Sequence, residues 1–170
     1  MTPKQIERIQ IKITKIRKEL AADKKRWGGF YDDSRGLRYL PPELYLRIQD
    51  YSGALRYFNW FHKNFPDDSG YPVFLFEWAI TLFKKGKIKE AKAKTIQTDR
   101  ANSWIIPAFL QVENSRPPTK MFSNWQTAEV AEEMGYSKHD AELADFAEWL
   151  SDFVSSAEFT GLRGDLLQKT

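Results

Sequence analysis

The side chains that most often carry chemistry are few in this chain, and their spacing limits what they can do. There are 2 histidines and no cysteine among 170 residues. His62 stands beside an aromatic run and His139 in a turn; neither has a second histidine at metal-ligand spacing, so no H-x-x-x-H or Asp/His set is formed. Without cysteine, disulfides, thiolate nucleophiles and Cys-based zinc sites are excluded. Adjacent carboxylates occur at Asp32-Asp33, Asp67-Asp68 and Glu132-Glu133. Sharing a proton requires convergence in a cleft, and Asp67-Asp68 after Pro66 reads as turn and cap chemistry. Gly28-Gly29 and Gly36 lack the spacing of a phosphate-cradling loop, and no G-x-S-x-G elbow is present. The residues imply no catalytic group, no metal and no cofactor, so the chain is not expected to be an enzyme.

Two charged groupings remain. Arg35 and Arg38, with Tyr39 beside Pro41-Pro42, form an anion-binding corner in one reading and pair with Asp32, Asp33 or Glu43 in the other. Lys84, Lys85, Lys87, Lys89, Lys92 and Lys94 crowd around a single Glu90, either to contact phosphates or as a solvated helix face. Base stacking needs exposed aromatic rings between such lysines, whereas Trp78 and Phe83 belong to an apolar helix pattern.

Composition sets the frame for these groups. Hydrophobic residues make up 42% and charged residues 29%, which describes a soluble globular chain rather than a disordered one. Aromatics at 15% suit the wide gaps between packed helices. No apolar run has signal-peptide length, and none approaches the roughly 18 residues of a membrane span. With the lack of cysteine, this gives a cytoplasmic expectation. Formal net charge is +3, yet the ends differ in sign. Residues 1–27 hold nine Lys/Arg against three Asp/Glu (+6), and residues 128–170 hold three against ten (−7). The basic end is therefore expected to dock on the acidic end, within one chain or between two.

The elements that must position these residues read as helices throughout. Ile6, Ile9, Ile13, Ile16, Leu20 and Trp27 form a heptad seam on a helix from Pro3 to Lys25. Such a helix must bury its seam, on the rest of the chain or on a second copy as a homodimer, while its basic face offers a further route to nucleic acid or acidic membrane. Turn residues at Gly28-Gly29, Asp32-Asp33-Ser34 and Gly36 lead to Pro41-Pro42 and a short helix over Glu43–Gln49. Asp50–Asp68 carries Gly53, Ala54, Phe58, Phe61 and Phe65 on one helical stripe that stops at Pro66. Val73–Lys85 is apolar nearly all round, predicting a central helix, and Lys87–Thr98 returns after Gly86. Ser103–Leu110, interrupted by Pro107 and then Arg116-Pro117-Pro118, precedes expected helices over Ser123–Met134, from Ser137 to Val154, and over Ser156–Gln168.

Ala54, Phe58 and Pro66, with Phe61 where alanine is usual, resemble the tetratricopeptide-repeat (TPR) superfamily. A second copy follows with Ala79, Leu82, Gly86 and Ala91. The resemblance covers residues 35–112, about two divergent repeats. It implies an all-α fold of stacked antiparallel helical hairpins in a right-handed superhelix, preceded by the basic amphipathic helix of residues 1–27 and capped by acidic helices over 120–170. It also implies a noncatalytic scaffold whose concave surface takes a peptide or protein partner. Carried onto this chain, that surface is lined by Tyr39, Glu43 and Arg47 of the first pair and Phe76, Ile80, Phe83 and Lys84 of the second. The competing expectation is nucleic-acid binding through the N-terminal helix and the Lys84–Lys94 cluster.

Overall fold

The computed structural model describes residues 1–114 and 125–168. Among them every regular element is helical and no strand occurs. The chain divides into two compact units, Met1–Ser69 and Gly70–Thr170, with the division falling between the two helical pairs.

In the first unit, α1 spans Pro3–Arg26. Its start is fixed by a reciprocal cap: Thr2 Oγ1 accepts from the Gln5 amide at 3.2 Å, and Gln5 Oε1 accepts from the Thr2 amide at 2.8 Å. Its end is fixed by glycine, since Gly28 and Gly29 take φ of 65° and 102° and the Gly29 amide closes back on the Lys24 carbonyl at 2.9 Å. The heptad seam is buried in its middle, at Ile13, Ile16 and Leu20; Ile6 and Ile9 are half-buried. Trp27, expected in the seam, is 52% exposed because the helix has ended before it. α1 packs on α2 (Pro41–Arg47) and on the 3-10 turn Leu37–Tyr39.

The short helix α2 thus begins at the prolines and ends two residues before the expected Gln49, which turns the chain with φ 54°. Asp50 then caps α3 (Tyr51–Asn64) by accepting from the Gly53 amide at 2.8 Å. α2 and α3 pack as a pair, burying Gly53, Ala54, Tyr57, Phe58 and Phe61.

In the second unit α4 (Pro72–Lys84) is the central helix that its all-round apolar sequence predicts, packing on α5 (Ile88–Ala101), α6 (Ile105–Leu110), α7 (Ala128–Glu132) and α8 (Ala144–Val154). α5 buries two threonines, Thr95 and Thr98, and their hydroxyls are absorbed locally. Thr95 Oγ1 donates to the Ala91 carbonyl and Thr98 Oγ1 to the Lys94 carbonyl, both at 2.8 Å, which lets both side chains sit buried. α7 is shorter than the helix expected over Ser123–Met134, whose first residues, like Arg116-Pro117-Pro118, lie outside the described residues. The capping turn at Ser137 is present, since its amide donates to Asp140 Oδ2 at 2.7 Å; a 3-10 turn over Ala141–Leu143 intervenes before α8. α9 (Ala157–Gln168) follows and packs on α5 and α8. The core forms where Phe76 of α4, Phe109 of α6 and Phe146 of α8 meet edge-to-face with centroids 5.2–5.6 Å apart.

Candidate interaction surfaces

The arginine corner of the first unit is built by an acidic turn. The Asp33 carboxylate accepts from the amides of Leu37 and Arg38, both at 2.9 Å, which starts the 3-10 turn and aims Arg38 back across it. The Arg38 guanidinium then lies between two carboxylates, with Nη1 3.0 Å from Asp33 Oδ2 and Nε 2.8 Å from Asp68 Oδ2, and its face covers the Tyr39 ring at 4.3 Å. Tyr39 OH donates to Asp68 at 2.6 Å. Burial alone lowers the Arg38 pKa, but the bonds to Asp68 and Asp33 outweigh it and raise it further. Tyr39 is pushed above its ordinary range by burial and by its bond to Asp68. Arg35 is not gathered into this knot; it is 74% exposed and 3.6 Å from Glu19. The second of the two readings, local pairing, describes Arg38.

On α2, Glu43 and Arg47 pair with each other at 3.2 Å on the solvent side, so both remain presented. In the second unit the residues expected to line a groove are largely covered. Phe76 and Ile80 have no exposed surface. Phe83 is half-buried against Phe146 and Trp149 of α8, at 5.5 and 5.1 Å. Lys84 Nζ reaches Asp145 Oδ1 at 2.6 Å and also donates to the Glu142 carbonyl. Of the expected lining, Phe76 and Phe83 are met by this unit's own α8.

The same helices draw in half of the lysine cluster. Lys92 pairs with Glu158 at 2.7 Å, and Lys94 Nζ lies 3.8 Å over the Trp78 ring, where burial lowers its pKa. Lys85, Lys87 and Lys89 stay exposed. The acidic C-terminal segment is therefore met, within its own unit, by lysines of α4 and α5.

Two buried groupings carry no local sequence signal. Asn102 bridges a chain return, with Nδ2 donating to the carbonyls of Trp125 (2.6 Å) and Thr127 (2.7 Å) while Oδ1 accepts from the Trp104 amide at 2.8 Å. Asp99 of α5, 1% exposed, meets Arg163 Nε of α9 at 2.9 Å. His62 and His139 are both exposed, the latter 3.1 Å from Gln111 Oε1. Among the described residues no group of three or more His, Asp or Glu is placed to hold a metal ion. Nor, among them, is any helix long and apolar enough to cross a membrane.

The largest unshared charge is on α1. Arg17 and Lys24 turn inward, to Tyr45 OH at 3.4 Å and to Asn64 Oδ1 at 3.3 Å. Lys4, Arg8, Lys12, Lys15, Lys18, Lys25 and Arg26 are exposed and make no ion pair among the described residues. No protein-family description, curated protein or solved structure matches this chain.

Proposed function

We propose that this chain is a noncatalytic interaction module in which TPR-like helical pairs present a helical surface to a protein or peptide partner, in a cytoplasmic setting. The observation that supports this reading is the fate of the small residues. Ala54, Ala79 and Ala91 have no exposed surface, and Gly53 is buried beside Ala54, as nesting antiparallel helices require. The residues that such a pair offers outward are Glu43 and Arg47 of α2, whereas Phe76 and Ile80 serve the internal core.

The test is site-specific photocrosslinking in the native cell. A photoreactive residue at Arg47 is expected to give a discrete protein adduct that a matched probe at Glu148, exposed on α8, does not give. Equal yields from the two positions, or adducts with nucleic acid only, overturn the reading.

A further inference from the structure

One side of α1 is buried by the heptad seam, and the opposite side repeats the same spacing with different chemistry. Lys4, Arg8, Ile11, Lys15, Lys18, Ala22 and Lys25 follow one another at steps of four, three, four, three, four and three, and all seven are exposed. They form a straight stripe about 32 Å long on a rigid helix. Five cations are interrupted by two apolar places, one of them Ile11 at 60% exposure. Ile11, Thr14 and Ala22 lie in a shallow open groove edged by Glu7, Lys15, Lys18 and Glu19, with Lys4, Arg8 and Lys25 extending the charge along the helix to either side. We propose that this stripe docks an acidic amphipathic helix of another protein, its carboxylates facing the lysines and its apolar side chains seated at Ile11 and Ala22.

Charge decides among the occupants. A second copy would either set one cationic stripe against another, or offer its acidic C-terminal helices, whose Asp145 and Glu158 already pair with Lys84 and Lys92 of their own unit. An anionic membrane surface takes a helix by its apolar face, and here Ile13, Ile16 and Leu20 are buried. A nucleic acid would bring phosphates against Glu7 and would find Ile11 and Ala22 where further cations or stacking rings would serve it; the exposed rings, Trp27 and Phe30, lie past the helix end. An acidic helix uses every position of the stripe. Because the seam holds α1 in place, the stripe is ordered before the partner arrives.

The inference rests on the interaction-module reading but uses a different face, so loss of one does not imply loss of the other. A fluorescein-labelled synthetic helix of about 24 residues, long enough to lie along α1, is titrated onto the full chain by anisotropy. It is rich in glutamate, with two leucines spaced to meet Ile11 and Ala22; a second peptide of equal charge has serine at those places. The leucine peptide is expected to bind at least about threefold more tightly than the serine peptide, and Lys15→Glu/Lys18→Glu to weaken it about tenfold or more. Ile11→Ser is expected to shrink the difference between the two peptides to the share contributed at Ala22. An oligo-dT strand or phosphatidylserine vesicles bound more tightly than the leucine peptide overturn the proposal, as do dimers in sedimentation that compete with it. Equal affinity for the two peptides, or no saturable binding, also overturns it. All three substitutions are at exposed positions, and a helical spectrum of each variant confirms its fold.

Discussion

Tyr45 Cε1 lies 2.6 Å from the position that a Cβ on Gly53 would occupy. The ring of α2 thus rests directly on the α3 backbone, and the α2–α3 pair closes at a separation only glycine allows. Gly53→Ala gains about 1 kcal/mol of helix propensity but drives the new Cβ against both the Asp50 cap carboxylate, which lies nearer still, and the Tyr45 ring in a packed core, which costs about 1–3 kcal/mol. Net destabilisation is expected in a denaturant titration. A double-mutant cycle with Tyr45→Leu should recover part of the loss, the remainder lying with the Asp50 cap, and purely additive effects would contradict the ring contact.

The Arg38 knot is expected to hold the 3-10 turn against the end of α3. Replacing Asp68 by alanine leaves Arg38 with Asp33 as its carboxylate partner and removes the carboxylate that accepts from Tyr39 OH. A fully buried pair broken this way costs about 3–5 kcal/mol; with Arg38 and Asp68 partly exposed, a loss of about 1–2 kcal/mol is expected. Arg38→Lys should cost nearly as much, because an ammonium cannot bridge both carboxylates while covering the Tyr39 ring. Thermal melts of the two variants compare them directly.

Alkaline pH should unfold the protein through its tyrosines. Tyr39, Tyr57 and Tyr71 all have pKa values raised from 10.0, first by burial and then by Asp68, Asp33 and Glu133 respectively. A raised folded-state value means the native chain keeps the phenol. The stabilisation is complete below the unfolded value near 10 and declines as pH rises past it. Phenolate absorbance is therefore expected to appear together with loss of helix. Tyr57→Phe should move the alkaline midpoint upward while costing about 1 kcal/mol at neutral pH, since Tyr57 OH donates to the Arg38 carbonyl. Phenolate formation at Tyr57 well before helix loss, read as the difference between the parent and Tyr57→Phe, would contradict the burial.

These sites differ in how far they could be read from the chain alone. α1 and α4 were legible because heptad and all-round apolar patterns are local and repeat over many residues. Asp33 as the partner of Arg38 was legible as one of two readings, being five residues away; Asp68, thirty away, was not among the partners that neighbourhood suggests. Phe76 and Ile80 show the opposite limit. Their apolar character is evident in the sequence, but what covers them is not: Phe146 of α8, which meets Phe76, lies 70 residues further on. Asn102 is silent for the same reason, since it serves carbonyls 23 and 25 residues onward. A polar side chain in an apolar stretch reads as a turn until its distant acceptors are in place.

That silence makes Asn102 a sharp test of the second unit. Asn102→Ala removes two donations and one acceptance at a fully buried position, leaving the Trp125 and Thr127 carbonyls short of a donor. Such groups cost about 1–3 kcal/mol each when left unpaired, so a loss of about 2–4 kcal/mol is expected after local relaxation. Asn102→Asp should be no milder, as it keeps the acceptor but supplies no donor to the two carbonyls. Hydrogen exchange at the Trp104 amide should separate them, quickening in the alanine variant and staying slow in the aspartate variant.

Asp99 and Arg163 hold α9 to α5, and the asymmetry between their two deletions is the prediction. Asp99 is 1% exposed, while the Arg163 side chain keeps 15% of its surface. Arg163→Ala removes the cation 2.9 Å from a carboxylate that is only 1% exposed, and breaking a buried pair in this way costs up to about 3–5 kcal/mol. Asp99→Asn leaves a neutral amide in that place and an arginine with some access to water, so its cost should be smaller, about 1–2 kcal/mol. Replacing both by leucine removes the desolvated charges together and should restore most of the stability lost in Arg163→Ala, because a buried ion pair is often no better than apolar packing of similar volume. Urea midpoints of the three variants give the order directly. If Asp99→Asn proved the more damaging single change, the carboxylate would have to be held chiefly by partners other than Arg163.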